Sequence, residues 1–231
     1  MDKHASSNEQ ELKALCERYR RCYAGLVYDV LEHLGYPNQA LSPELMPLIP
    51  EMKLAGPAFT VKGMTTTEKN EALRYRRLEM IKHMRRPCVE VRDRGTPYPV
   101  AIYGELTAAG AAAHGAVGAL VDGGTRDSGK VIEAGFPVFA RYRCPIEAYG
   151  RWAIMEYQVP ILLSGALVAT VAVCPGDFIF GDYDGVLVIP KDLTLEVLVE
   201  CERIMGIEDS ARAEFARGDD PVEVFARHQV L

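Results

Sequence analysis

Two short stretches hold residue types that could do chemistry: Tyr103-Gly104-Glu105-Leu106-Thr107 and Val121-Asp122-Gly123-Gly124-Thr125-Arg126-Asp127. Each reads as the end of a strand passing through glycine into a helix. At a helix start the first backbone N–H groups have no partner within the helix, so those of Leu106 and Thr107 can hold a carboxylate. Arg126 can offer two parallel donors to a carboxylate or an enolate oxygen. Asp127 can ligate a hard divalent cation, and Glu105 can reach the same ion directly or through water. A cation, a guanidinium and oriented amides are the parts that stabilise an enolate. A plainer reading is a tight turn in which Arg126 and Asp127 form a local ion pair. The residue types alone leave both readings open.

The enolate reading requires the elements around these stretches to run in parallel. Residues 88–91, 100–103, 117–121 and 137–140 read as strands, with an Ala-rich helix over 106–114 and a short one over 128–134. Such a succession with tight connections argues for parallel pairing in a covered sheet. Both loops would then lie at the carboxyl ends of adjacent strands, where α/β sites gather. Residues 159–163, 166–173, 178–180 and 186–189 read as antiparallel strands, with Asp184-Gly185 as a tight turn. Upstream, Asn8 is positioned to cap a helix over 8–20, and a second helix over 24–34 ends at Gly35. A strand over 58–62 and a basic helix over 67–85 follow. A long helix over 193–216 leads into a polar tail. With no repeat and no linker, the chain reads as one domain: N-terminal helices 8–36, a core 55–190 and a C-terminal helical extension 191–231.

Composition narrows the partners. The formal net charge of -6 disfavours nucleic acid or an anionic membrane as the main partner. No apolar run approaches the roughly 20 residues of a membrane span. The polar first ten residues lack the pattern of a secretory signal. Six cysteines without a C-x-x-C pair read as reduced and structural in a cytoplasmic protein, not as a zinc site. The run Arg74, Arg76, Arg77, Lys82, Arg85 and Arg86 reads first as a solvated helix face and second as an anion patch. The loop over 141–152 is open to two readings, a reader of the distal part of a substrate or a solvated loop anchored by aromatics. His114 reads as a helix-end residue, Cys144 and Cys174 as packing residues, and Asp177, Asp182 and Asp184 as turn formers. Ser164 lacks the G-x-S-x-G context of a hydrolase nucleophile.

Taken together, these residues resemble a known family, the class II pyruvate aldolases acting on 4-hydroxy-4-methyl-2-oxoglutarate and 4-carboxy-4-hydroxy-2-oxoadipate. Its superfamily includes the RraA-type regulators of ribonuclease activity. The family pattern is Asp, an intervening stretch, then Arg-Asp; here Glu105, residues 106–125 and Arg126-Asp127 stand in those places. The likeness extends to Gly135-Phe136-Pro137-Val138-Phe139-Ala140, Pro175-Gly176-Asp177, Gly181-Asp182-Tyr183-Asp184-Gly185-Val186 and Ile189-Pro190, covering residues 55–190. It implies a swivelling-domain-like α/β/β sandwich with mixed parallel and antiparallel sheets, assembled as a homotrimer or homohexamer with sites between subunits. It implies Mg²⁺ or Mn²⁺ held by Asp127, with Glu105 acting through water. It further implies Arg126 on the pyruvyl oxygens and the amides of Leu106 and Thr107, beside Gly104, on the carboxylate. Glu208 of a neighbour's C-terminal helix, or Asp209 next to it, corresponds to a family Glu that reaches the metal's water. One departure is Glu105 where the family has Asp. The longer side chain shifts the carboxylate by about one C–C bond, ~1.5 Å. That shift can preserve a water-mediated contact, convert it to direct ligation, or change the substrate.

The resemblance implies retro-aldol cleavage of a 4-hydroxy-2-oxo acid through a pyruvate enolate. A metal-bound water, oriented by Glu105 and the neighbour's Glu208, would be the base. Oxaloacetate decarboxylation is open to the same site because it leaves the same enolate. The rival reading is a non-catalytic RraA-type regulator that docks on RNA-processing proteins. The region past Pro190 favours the enzyme, since the regulators resemble a version without it. A methyltransferase reading lacks a glycine-rich loop for S-adenosylmethionine.

Overall fold

Two amphipathic helices come first, α1 (Lys3–Tyr19) and α2 (Ala24–His33), in a computed structural model that describes residues 3–84 and 87–229. Asn8 lies inside α1 and does not cap it, because the helix begins earlier than the apolar spacing implied. Gly35 ends α2 as expected: it takes φ +88°, and the Tyr36 N–H closes on the Leu31 carbonyl at 2.8 Å. Strands β1 (Met46–Pro47) and β2 (Leu54–Thr65) follow. Helix α3 (Glu71–Lys82) starts later than expected, since the Asn70 side chain caps it by accepting the Ala72 N–H at 2.9 Å. Arg85 and Arg86 lie outside the described residues.

The central part alternates as the sequence implied: β3 (Cys88–Arg92), β4 (Ala101–Tyr103), α4 (Glu105–His114), β5 (Ala116–Thr125), α5 (Ser128–Glu133) and β6 (Val138–Arg143). Strand β5 continues through Asp122-Gly123-Gly124-Thr125, where a loop was expected. Its glycines leave room for the Tyr142 ring and the Ile102 side chain to lie directly against the backbone. Next come β7 (Trp152–Tyr157), β8 (Ile161–Ser164), β9 (Thr170–Val173), β10 (Phe178–Asp182), β11 (Gly185–Ile189), α6 (Thr194–Arg217) and α7 (Pro221–His228). Two of these were not anticipated. Strand β7 lies where only a loop end was read. Helix α7 lies in the polar tail, with Asp220 capping the Val222 and Glu223 N–H groups and Pro221 at its first position.

The main sheet runs β1-β6-β5-β3-β2-β10-β11, with β4 added on β5 and β7 on β2. Strands β2, β3, β5, β6 and β4 pair in parallel, whereas β7, β10 and β11 pair antiparallel, giving the expected mixed sheet. The β8–β9 hairpin forms a separate two-stranded sheet. One apolar core gathers the parallel strands, α3, α4, α5 and the β8–β9 hairpin. A second seats α1, α2 and α6 on β10 and β11. There the Tyr19 ring stacks on Phe178 at 4.3 Å and its hydroxyl donates to the Thr194 carbonyl at 2.6 Å. Burying a Phe of this kind contributes roughly 1.5–3 kcal/mol.

Two polar groups inside the sheet fix the strands that matter for function. Arg92 and Glu90 are fully buried side by side on β3, with Nε to Oε1 at 2.7 Å. Arg92 also donates to the Ile102 carbonyl at 2.5 Å, and the Tyr103 hydroxyl donates to Glu90 at 3.2 Å. That network anchors β4 against β3. Asp122 on β5 accepts the Ser164 N–H at 2.9 Å and its hydroxyl at 3.2 Å, and pairs with Arg141, so it ties the β8–β9 hairpin to the sheet.

Candidate functional site

The site grows from the adjacent ends of β4 and β5. Tyr103 and Thr125 are register partners, so Gly104 and Arg126 emerge side by side. The Arg126 N–H donates to the Tyr103 carbonyl at 3.1 Å, closing the junction. A Cβ on Gly104 would sit 3.1 Å from Asp127 Oδ2 and 3.2 Å from Arg126 Cγ, so both side chains lean over the bare glycine backbone. Asp127 occupies the cap position of α5 with φ 57° and ψ 29°, a left-handed conformation costly for a non-glycine residue. From there its carboxylate caps no N–H. It makes only a loose 3.5 Å ion pair with Arg126, with 46% of the side chain exposed. An aspartate that neither caps its helix nor forms a tight pair is available to a ligand.

The amides opening α4 are partly committed. The Thr107 N–H already donates to the Gly104 carbonyl at 3.1 Å, which corrects the expectation of two free donors. The Leu106 N–H has no backbone partner among the described residues. Gly104, Leu106, Thr107, Arg126 and Asp127 line one cleft. Glu105 stands in the first turn of α4, half-buried and without a hydrogen bond or ion pair among the described residues, but it is not part of the cleft lining. Glu208 and Asp209 lie on α6 and are not in this chain's cleft lining. Glu208 accepts the Tyr23 hydroxyl at 2.5 Å and pairs with Arg212 at 2.6 Å, and Asp209 also pairs with Arg212.

Could this donor set hold a metal? Among the described residues no three His, Cys, Asp or Glu side chains come together, so a closed protein cage is excluded there. Mg²⁺ needs no such cage, since it keeps several waters and takes one or two carboxylates plus oxygens of the substrate. The Asp127 carboxylate at the cleft fits that mode of binding, and Glu105 follows directly on Gly104, the glycine that Asp127 leans over.

The remaining walls include residues that the sequence reading ranked low. Arg74 and Arg77 of α3 line the cleft, so the basic run is not simply a solvated face. Their i, i+3 spacing puts both on one side of a helix, and that was the available signal. Arg74 lies over the Tyr149 ring, 4.1 Å from its centre, and 3.8 Å from Glu147. Glu147, Tyr149 and Trp152 bring the 141–152 loop and the start of β7 to the cleft, but Arg141 turns inward to Asp122. Other candidates are structural. Asp177 accepts the Cys174 and Lys191 N–H groups, and Asp182 accepts those of Ala24 and Asp184. His114 lies 2.9 Å from the Gly110 carbonyl at the end of α4. All six cysteines are free thiols.

Comparison with known proteins bears on the family and the fold. The family model described as RraA-like, aldolase/RraA, matches residues 24–188. A Xanthomonas campestris protein, named provisionally as a 4-hydroxy-4-methyl-2-oxoglutarate aldolase, is 31% identical over 166 residues, covering 68% of this chain and 95% of that protein. For three other curated relatives the match spans only 32%, 56% and 50% of their own length. A crystal structure described under novel cellulases from microbes associated with the gut ecosystem is 35% identical with a TM-score of 0.78, covering 86% of each chain. Streptomyces coelicolor RraAS2, described as an unusual member of the RNase ES inhibitor RraA family, shares the fold. Its TM-score is 0.74 and its identity 24%, over 87% of this chain and 98% of that one. The paired loops at Gly104 and Arg126-Asp127, the mixed sheet and the family match over residues 24–188 lead to one conclusion: the chain belongs to the RraA-like aldolase/RraA family.

Proposed function

We propose that this protein is a divalent-metal-dependent carbon–carbon lyase that cleaves a 4-hydroxy-2-oxo acid of the 4-hydroxy-4-methyl-2-oxoglutarate kind through a pyruvate enolate. The observation that carries the reading is the pair of uncommitted side chains, Arg126 and Asp127, leaning over Gly104 at the cleft. Asp127, with Glu105 as second carboxylate, would hold Mg²⁺ or Mn²⁺. When bound, such an ion supplies Lewis-acid polarisation of the 2-oxo group and acidifies a water. Arg126 donates to the 2-oxo oxygen, where negative charge builds as the C3–C4 bond breaks. The electron pair of that bond passes into the C2–C3 enolate. The proton of the 4-hydroxyl leaves to a base, and C3 takes a proton to give pyruvate. The free Leu106 N–H at the start of α4 receives the 1-carboxylate. Loss of CO₂ from oxaloacetate leaves the same enolate and suits the same groups.

The test is pyruvate release from 4-hydroxy-4-methyl-2-oxoglutarate and from oxaloacetate, with Mg²⁺ and with EDTA. Metal-dependent release is expected, and Arg126→Ala and Asp127→Ala should each lower kcat/KM by about 10²- to 10³-fold without unfolding the protein. Near-normal turnover in either variant would sink the assignment. A regulator reading draws support from the likeness to RraAS2. Capture of RNA-processing proteins with no turnover of either acid would favour it.

A further inference from the structure

Arg77 stands apart from the other basic groups at the cleft. It lines the cleft from α3, is half-buried, and makes no hydrogen bond or ion pair among the described residues. Its neighbours on the same helix are committed or solvated. Arg74 is stacked on Tyr149 and drawn to Glu147 and Glu71, Lys82 is paired with Glu79 at 2.7 Å, and Arg76 is exposed. Burial, and then the like charge of Arg92, push the Arg77 pKa below its ordinary value, with Glu147 and Glu90 only partly offsetting them. A guanidinium withdrawn from water without a partner is costly, and an anion placed against it would restore what it lost.

The cleft therefore has two separate anion-seeking features, Arg126 beside the free Leu106 N–H, and Arg77 on α3. The same lining carries apolar and aromatic side chains, including Ile102, Tyr149, Trp152 and Ile154. We propose that Arg77, flanked by the Arg74–Tyr149 stack, forms a second anion subsite that binds the distal carboxylate of the substrate, so that the protein selects dicarboxylic 2-oxo acids over those with an uncharged tail. The inference rests on the lyase reading for its orientation, with the 2-oxo acid end on Arg126. Planar Arg77 can take a carboxylate through two donors, and Tyr149 holds Arg74 beside it as a second source of charge. Glu147 is a competing anion in the same lining, as is Glu68. Glu147 lies 3.8 Å from Arg74.

The test separates this subsite from the lyase reading by measuring binding as well as turnover. Calorimetry with Mg²⁺ present would compare 2-oxoglutarate with 2-oxobutanoate, which lacks the second carboxylate. The full chain is expected to bind 2-oxoglutarate at least tenfold more tightly. Arg77→Gln should remove that preference and leave 2-oxobutanoate unchanged. Arg77→Lys should restore part of it, and Glu147→Gln should strengthen it. In the turnover arm, Arg77→Gln should raise KM for 4-hydroxy-4-methyl-2-oxoglutarate about tenfold or more, and leave cleavage of 4-hydroxy-2-oxopentanoate within twofold. Equal binding of the two acids by the unsubstituted chain, or equal losses for both in Arg77→Gln, would overturn the subsite even if turnover is robust. A binding preference that depends on Arg77, in a protein that cleaves neither substrate, would uphold the subsite and remove the lyase reading.

Discussion

Asp127 is held in a conformation that costs stability and frees its carboxylate. A left-handed backbone on a non-glycine residue is unfavourable by about 1–2 kcal/mol, and the residue forgoes the cap bond its position would allow. Asp127→Gly should therefore hold stability constant or raise it by about 0.5–1 kcal/mol, while metal-dependent pyruvate release is lost. Urea denaturation beside the pyruvate assay checks both halves. A variant destabilised by more than 1 kcal/mol would refute the strain argument. Asp93 gives a second residue-scale prediction. It is half-buried, with the Gly63 N–H donating to it at 2.8 Å, and burial pushes its carboxyl from 3.8 up to about 6. The folded state thus holds a proton that the unfolded chain releases. Its contribution is full below about pH 4 and lost as pH rises through 6. After discounting for its exposure, the change is about 1–2 kcal/mol. Asn at this position keeps the acceptor and removes the titration, so the stability of Asp93→Asn relative to the parent should climb by that amount between pH 4 and 7. Parallel profiles for the two proteins would refute it.

At the scale of elements, the short strand β4 is the piece that must not move, because Gly104 and the start of α4 follow it directly. Three residues of pairing are little to hold it. The buried Glu90–Arg92 pair supplies the rest, through the Ile102 carbonyl and the Tyr103 hydroxyl. Removing one partner leaves the other as an uncompensated buried charge, a cost of about 3–5 kcal/mol. Arg92→Ala should lower stability by that amount in chemical denaturation, although Arg92 lies outside the cleft lining. A loss under 1 kcal/mol would mean that packing alone positions β4.

At the scale of the whole molecule, Glu208 poses the question of assembly. In its own chain it binds Tyr23 and Arg212 and is not in the cleft lining. A catalytic contribution would have to reach a neighbour's site, in the trimer or hexamer that the family resemblance implies. Glu208→Ala and Arg126→Ala, each inactive alone, should then recover activity when mixed under exchange conditions. Random pairing leaves about a quarter of shared sites with both groups intact. No recovery from fully exchanged subunits would remove Glu208 and the shared site together. Among the described residues no helix is long and apolar enough to cross a membrane.

The sequence by itself determined what depends on local periodicity and turn chemistry. The alternation from β3 to β6, the Gly35 stop and the β10–β11 hairpin at Asp184-Gly185 were all legible, because each needs only its own residues. So was the candidate pair Arg126-Asp127, since charged residues after a glycine-bearing strand end carry their own signal. Strand β7 and the full length of β5 were not legible. Both are decided by partners distant in sequence, β2 for the first and β4 and β6 for the second. The same limit applied to side chains. Nothing local said that Thr107 would spend its N–H on Gly104, or that Asp122 would tie down Ser164. The placement of Arg77 at the cleft likewise depends on how α3 packs against the sheet. Helical spacing defines a face, but only tertiary packing decides whether that face meets water or a binding site.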